Sequence, residues 1–405
     1  MKKILFICMT DYQIINSINL KMNLFPKSEA DILIGDYREN LKELVIRLEK
    51  TYLFDNVYHY VSRLPGIANY IRGLRESKSN TLFVNALKNE TENILNKIKT
   101  FKYGKEYAIY SKIWGNKVLN FGKYDEVFGF HVNTITSDIM ELIKLHTGGR
   151  CILHCIDEGI GSYTTAVVHT NTKIDDIYLY RPDLAIFKNI KIKKIPPINK
   201  RDRKLIDILN YIYNYKEERD ELYKKIIFFD QAWVPMPKYL IHKNILKKFL
   251  FRRRYIKHSS ESKMHLDKMR IFRNLLKICG TDKVFVKLHP RSISAVIEAY
   301  KNYNCKFIKN SSMPWELFCI NSEFKNNIFV TVHSSALGTY DFTVDNDNNN
   351  NNVCIYTYLL GDFKTENSDI ELFYEKYAHN AMNVYIPKTY KELEKILIKY
   401  QNAPK

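Results

Sequence analysis

The sequence predicts an α/β protein of two doubly wound, Rossmann-like domains facing each other across a cleft. Two observations carry this. Short apolar, β-rich runs alternate with helical patterns, as expected for βαβ units and a mostly parallel sheet. The alternation also comes in two series, separated by the polar, basic stretch Lys-Ile-Lys-Lys-Ile-Pro196-Pro197-Ile-Asn-Lys, which reads as an interdomain linker. The expected domains are residues 1–195 and 196–405.

In the first series the expected strands are Lys3–Cys8, Asp31–Ile34, Asn56–Tyr60, Glu126–Gly129 and Cys151–Ile156. Helical patterns fill Gln13–Leu24, Glu39–Thr51, Asn85–Phe101 and Ile135–Leu145. The opening Met-Lys-Lys-Ile-Leu-Phe-Ile-Cys-Met superficially suggests a signal peptide. Thr10 and Asp11 cut its apolar stretch short and no small-residue cleavage site follows, so a first strand is expected, in a cytoplasmic protein. The second series runs Lys225–Phe229, helix Glu261–Cys279, Lys283–Lys287, helix Ser292–Tyr300, Lys306–Ile308, Ile328–Val332 and Val353–Tyr356. A last helix, Tyr390–Tyr400, packs back on one domain or the other. Residues 345–352 are nearly all Asn and read as a loop or disordered insertion.

Composition sets the outer bounds. A chain of 405 residues with 45% hydrophobic content, 29 Tyr and 22 Phe supports sizeable cores, and no run approaches the ~20 apolar residues of a spanning helix. Seven cysteines, mostly inside apolar runs, read as reduced, buried thiols. Cys151, His154 and Cys155 lie close together, but the second Cys/His cluster of a zinc site is missing and the segment reads as a strand, so no metal is expected. The net charge of +19 implies anionic partners: a nucleotide, an anionic membrane surface, nucleic acid or an acidic saccharide. Its densest block, Lys247-Lys248-Phe-Leu-Phe-Arg252-Arg253-Arg254-Tyr-Ile-Lys257, interleaves aromatic and basic residues. A block of this kind suits either a headgroup interface or a solvated helix face. No nucleic-acid motif accompanies it.

Three signatures carry the chemistry: Asp157-Glu158-Gly159, Lys-Leu-His289-Pro290-Arg291 and Val-His-Ser334-Ser335. Each follows an apolar run, and ligands of open α/β sheets bind beyond the carboxyl ends of strands. A carboxylate can take a proton from an attacking hydroxyl, while an imidazole and hydroxyls can receive an anionic leaving group. Each signature also has a plain structural reading. Asp before Gly caps turns, Pro290 ends strand pairing, and Ser334-Ser335 can start a helix at Ala336, itself an anion site. Neighbouring residues on an extended strand point to opposite faces, so one carboxylate of the acidic pair is expected to address the substrate. Lys287 either supplies charge beside His289 or faces solvent. No Asp-x-Asp pair suited to a metal–diphosphate complex follows an expected strand; Asp345-Asn-Asp347 lies in the Asn tract and is a poor candidate.

In order and type these signatures resemble the bacterial sialyltransferases, closest to glycosyltransferase family 52, which includes lipooligosaccharide sialyltransferases, and the related capsular polysialyltransferases. Ile-Cys-Met-Thr10-Asp-Tyr12-Gln13 resembles that group's first strand and turn, although Pro is commoner than Asp after the Thr. Tyr-Leu-Tyr180-Arg-Pro182-Asp-Leu resembles a segment following the acidic motif, and Ser311-Ser312-Met-Pro314-Trp-Glu316 the loop between the second and third motifs. The resemblance is at the level of motifs and spans about the first 340 residues.

The resemblance implies the GT-B arrangement and metal-independent, inverting transfer of sialic acid from CMP-sialic acid, the donor substrate, to a surface-glycan or glycolipid acceptor, without a cofactor. It favours Glu158 as the base, leaving Asp157 to cap, orient or hold the acceptor. It makes His289 the group at the departing phosphate, and Pro290, Ser334, Ser335, Glu316 and Gln13 donor-binding, with Glu316 on the ribose. It also implies lipooligosaccharide or capsule assembly on the cytoplasmic side of the membrane, where the basic charge suits peripheral contact with anionic lipid, and a homodimer is compatible with it. Two other readings stay open: another CMP-nonulosonate or nucleotide sugar on the same fold, and a basic, non-catalytic module binding membranes or nucleic acid.

Overall fold

The computed structural model describes residues 1–35, 37, 41–60, 119–170, 172–216, 222–231, 252–289, 292, 294–309, 313–345, 351–363 and 368–401. The expected helix Asn85–Phe101, Pro290 and Arg291 lie outside them, as does the 247–251 part of the basic block.

The first sheet contains β1 (Lys3–Cys8), β2 (Glu29–Gly35), β3 (Asn56–Tyr60), β4 (Glu126–Gly129), β5 (Ile152–Ile156), β6 (Asp176–Leu179) and β7 (Lys191–Lys194). Every pairing is parallel, in the order β3-β2-β1-β4-β5-β6-β7. After a short β8 (Ile198–Asn199), the second sheet takes β9 (Ile226–Phe229), β10 (Val284–Lys287), β11 (Lys306–Phe307), β12 (Ile328–Thr331), β14 (Val353–Tyr356) and β15 (Val384–Tyr385). Its order is β11-β10-β9-β12-β14-β15, again all parallel. In both sheets the chain starts in the middle, winds outward to one edge, then crosses back to wind to the other. That is the doubly wound, Rossmann-like topology expected, once per half.

The strands form where they do because helices cover both faces of a parallel sheet, so its middle strands read as continuous apolar runs. Ile4 through Cys8 are all fully buried. Phe6 stacks on Phe128 of the neighbouring strand at 5.1 Å between ring centroids.

Four stretches depart from expectation. The basic stretch taken as a linker is structured: β7 forms the edge of the first sheet, and β8 pairs with β13 (Val344–Asp345) of the second half. Lys193 explains why charge survives there, because it pairs with Asp176 on β6 and an edge strand keeps one side in water. The Asn tract ends in order: Asn352 is buried, accepting from Asn327 N–H at 2.9 Å and donating to the Phe324 carbonyl at 3.0 Å. Two helices, Arg203–Tyr213 and Ser368–Asn380, were not foreseen. The second straps the halves together. Asp369 accepts from Thr165 N–H at 3.0 Å, and Lys376 donates to the Ala185 carbonyl at 2.7 Å. The terminal helix Tyr390–Gln401 packs on helix Arg252–Cys279 of the second half.

Candidate functional site

The acidic pair follows β5 at the carboxyl edge of the first sheet, and its two members have different surroundings. Asp157 is 1% exposed and caged. Its carboxylate accepts from the Tyr163 hydroxyl, from Gly159 N–H at 2.8 Å and from Tyr180 N–H at 3.3 Å. Its own carbonyl accepts from Asn16 at 2.9 Å, and Asn16 in turn accepts from the Tyr180 hydroxyl. Burial pushes the Asp157 carboxyl up to about 6, against the pull of these donors and of Tyr12. Asp157 therefore ties the acidic loop to the helix Asp11–Asn23 and to the Tyr180-Arg181 segment, with little left to offer a ligand.

Glu158, the next residue, turns the other way and is partly exposed. Thr10 Oγ1 donates to its carboxylate at 3.2 Å, and Gln13 also hydrogen-bonds it. Both come from the turn after β1, where Thr10 caps the helix by accepting from Gln13 N–H and the Gln13 amide oxygen accepts from Met9 N–H. The spacing is that of a capping box, with Thr and Gln three residues apart, but the return bond goes to Met9, one residue before the cap. Gln13 is 2% exposed and acts here on the first sheet's side, holding Glu158. Burial pushes Glu158 up to about 8, with Asp157 and Glu316 adding to the rise and Thr10 and Gln13 opposing it.

The second half meets this loop directly. Gly159 has φ +99°, a conformation open essentially to glycine, and a Cβ there would lie 2.7 Å from Ser335 Oγ. The first and third signatures are therefore in contact across the cleft. Ser334 Oγ accepts from Ala336 N–H at 3.3 Å at the start of helix Ala336–Thr343, whereas the Ser335 side chain makes no cap bond. Between the halves lies a cavity of about 160 Å3 lined by Glu158 and Glu316 with hydroxyl and aromatic groups, including Thr10, Tyr12, Ser335 and Phe342. Burial pushes Glu316 up to about 7; Asp11 adds to this and Lys287 opposes it.

Lys287 does not face solvent. It is 5% exposed at the end of β10, donates to the Met313 carbonyl at 3.3 Å, and is pulled down to about 8 by burial against the attraction of Glu316 and Asp11. His289 follows two residues later, partly exposed at the same carboxyl edge. It is not part of the cavity wall. With β9 between β10 and β12, strand spacing sets the ends carrying His289 and Ser334 about 10 Å apart.

The structure thus gathers Glu158, Glu316 and Ser335 around one cavity, places Gln13 behind Glu158, Ser334 at the adjoining helix start and His289 on the flanking edge, and withdraws Asp157 into the protein. The roles of Thr10 and Tyr12 escaped the sequence reading. The capping-box spacing of Thr10 and Gln13 after an apolar run was the signal available for Thr10. Among the described residues no group of three or more His, Cys, Asp or Glu is arranged to hold a metal ion. His154, beside Cys151 and Cys155 in sequence, instead bridges Glu126 and Asp176 between β4 and β6. A larger cavity, about 650 Å3, opens at the amino edge of the first sheet around Lys2, Lys123 and Arg150. It is remote from all three signatures, and ligands of this sheet type bind at the carboxyl edge.

The chain matches no family profile and no curated protein sequence, so the likeness to family 52 rests on the motifs alone. Solved structures show overall similarity, two of them as follows. One is an α/β-galactoside α-2,3-sialyltransferase from the luminous marine bacterium Photobacterium phosphoreum, with a TM-score of 0.45 and 12% identity, covering 95% of this chain and 98% of that one. The other is MurG of Acinetobacter baumannii, with a TM-score of 0.40 and 8% identity, covering 99% and 92%.

Proposed function

We propose that the protein is a GT-B glycosyltransferase that moves sialic acid from CMP-sialic acid to a bacterial surface glycan, with inversion and without a metal ion. The observation that carries the reading is the contact of Gly159 with Ser335, which joins the acidic loop of one Rossmann-like half to the serine pair of the other. The cleft there holds Glu158, a carboxyl raised toward neutral pH. In the proposed step the Glu158 carboxylate takes the proton of the acceptor hydroxyl as its oxygen bonds to the anomeric carbon. The bond from that carbon to the phosphate oxygen breaks, and the electron pair leaves with CMP. His289 donates a hydrogen bond or proton to the departing phosphate, and Ser334 and Ser335 offer hydroxyl donors to it. Glu316 serves the nucleotide side, and Asp157 holds the loop that presents Glu158.

A monophosphate leaving group needs no divalent clamp of the kind a diphosphate does; the chain's one Asp-x-Asp, Asp345-Asn346-Asp347, opens the Asn-rich tract at the end of β13. The proposed setting is the inner face of the cell membrane; among the described residues no helix is long and apolar enough to cross one.

The test is release of CMP from CMP-sialic acid against a panel of galactoside and sialoside acceptors, with and without EDTA. Acceptor-dependent release that survives EDTA is expected. Release of UDP from a UDP-sugar instead would move the activity to another donor. Loss of activity in EDTA, restored by Mg2+ or Mn2+, would count against the site chemistry.

A further inference from the structure

Asp230 takes no part in the proposed chemistry, yet it has one of the most heavily bonded side chains in the second half. It follows β9 directly and is 2% exposed. One carboxylate oxygen accepts from Lys268 Nζ at 2.5 Å and from the Tyr300 hydroxyl at 2.7 Å; the other accepts from Ser292 Oγ at 2.5 Å. Lys268 and Tyr300 are fully buried, and Lys268 also donates to the Gln231 carbonyl at 2.8 Å. A dry ion pair of this kind adds little stability over an apolar replacement, because stripping water from both charges offsets their attraction. A positional role accounts for it better.

The bonds of Asp230 fall on both sides of His289. Its N–H donates to the Lys287 carbonyl at 2.9 Å, two residues before His289. Its carboxylate holds Ser292, whose own N–H donates to the His289 carbonyl at 2.9 Å. The backbone is therefore tied to Asp230 on both sides of His289, and Lys268 and Tyr300 hold Asp230 still.

We propose that Asp230, fixed by Lys268 and Tyr300, is a positioning residue that acts through Ser292 to set the backbone, and so the imidazole, of His289. The inference rests on the reading of His289 as the group at the leaving phosphate. It adds a support to that group which neither the motif nor its spacing indicates. Misplacing a reacting group by about 1 Å costs up to about 100-fold in rate.

Ser292→Ala tests it, because this change removes the tie while leaving the buried pair of Asp230 and Lys268 in place. In the full-length protein, turnover of CMP-sialic acid should fall about tenfold or more with little change in KM for the donor, and Ser292→Thr should restore it. In a His289→Ala background the same change should cost nothing further, since groups acting as a unit are not additive. An equal loss from Ser292→Ala with and without His289 would show general loosening and overturn the proposal. So would parental turnover in Ser292→Ala. Should His289→Ala itself keep parental turnover, the leaving-group reading fails. The positioning claim is then decided by NMR of 13C-labelled histidines: a His289 imidazole signal moved by Ser292→Ala supports it, and an unmoved one refutes it.

Discussion

Glu158 offers the sharpest test of the proposed chemistry, because its surroundings set a pH at which it can act. Burial lifts its midpoint from an ordinary 4.5 to about 8. A base with that midpoint is ionised to about a tenth at pH 7 and about a hundredth at pH 6. The kcat/KM, which reports the free enzyme, should therefore climb about tenfold per pH unit to pH 7, then level off above about 8. An unperturbed carboxyl would give a flat profile over this whole range. Stability should run the opposite way. Between about 4.5 and 8 the folded protein keeps a proton that the unfolded chain has released. The contribution is complete below about 4.5 and is lost as pH rises through 8, by at most about 1.4 kcal/mol per pH unit for one proton, and less with solvent screening. Glu158→Gln cannot ionise. It should abolish transfer while retaining CMP binding, and its stability advantage over the parent should widen with pH through that window and then hold constant. The checks are CMP release from pH 5.5 to 9 and urea denaturation of both proteins at matched ionic strength. A flat rate profile, or substantial turnover by Glu158→Gln, would refute the assignment of the base.

His289→Ala should lower turnover about 10²- to 10⁴-fold, as removal of a general acid does, while leaving the denaturation midpoint near that of the parent. Gly159→Ala should cost about 1–3 kcal/mol on denaturation, from a strained φ together with the clash against Ser335; adding Ser335→Gly should recover only the steric share. Replacing Arg252, Arg253 and Arg254 with Gln should weaken binding to anionic liposomes by several kcal/mol at most, at about 1 kcal/mol per basic residue, and leave transfer to a soluble acceptor intact. Equal liposome binding by parent and triple variant at low salt would assign those arginines to a solvated helix face instead.

The architecture was legible because parallel strands buried on both faces announce themselves as unbroken apolar runs, as Ile4–Cys8 and Ile226–Phe229 do. What escaped lies where burial is one-sided. Strand β7 reads as Lys-Ile-Lys-Lys, and its lysines mask an edge strand whose charge is met by Asp176. Helix Ser368–Asn380 carries Phe373, Tyr374 and Tyr377, buried against partners remote in sequence such as Tyr163 and Phe342. At the site, the motifs gave the positions of Asp157 and Glu158, and alternation along a strand predicted that they would part company. Which one is caged depended on Tyr163, Tyr180 and Asn16, whose approach no local pattern reveals.

The strap formed by Ser368–Asn380 has a consequence for how the protein comes into being. The first sheet is complete once Lys194 has been made, and the cage around Asp157 needs nothing later in the chain. Asp369 grips Thr165 across 204 positions of sequence, so the loop that presents Glu158 receives its last restraint only after most of the chain has left the ribosome. Contacts of such separation form late and slowly, because a long loop must close before they are rewarded. An N-terminal half can therefore ripen early as a scaffold, while the proposed site waits for the helix that carries Asp369. Truncated chains then carry the acidic loop without its clasp.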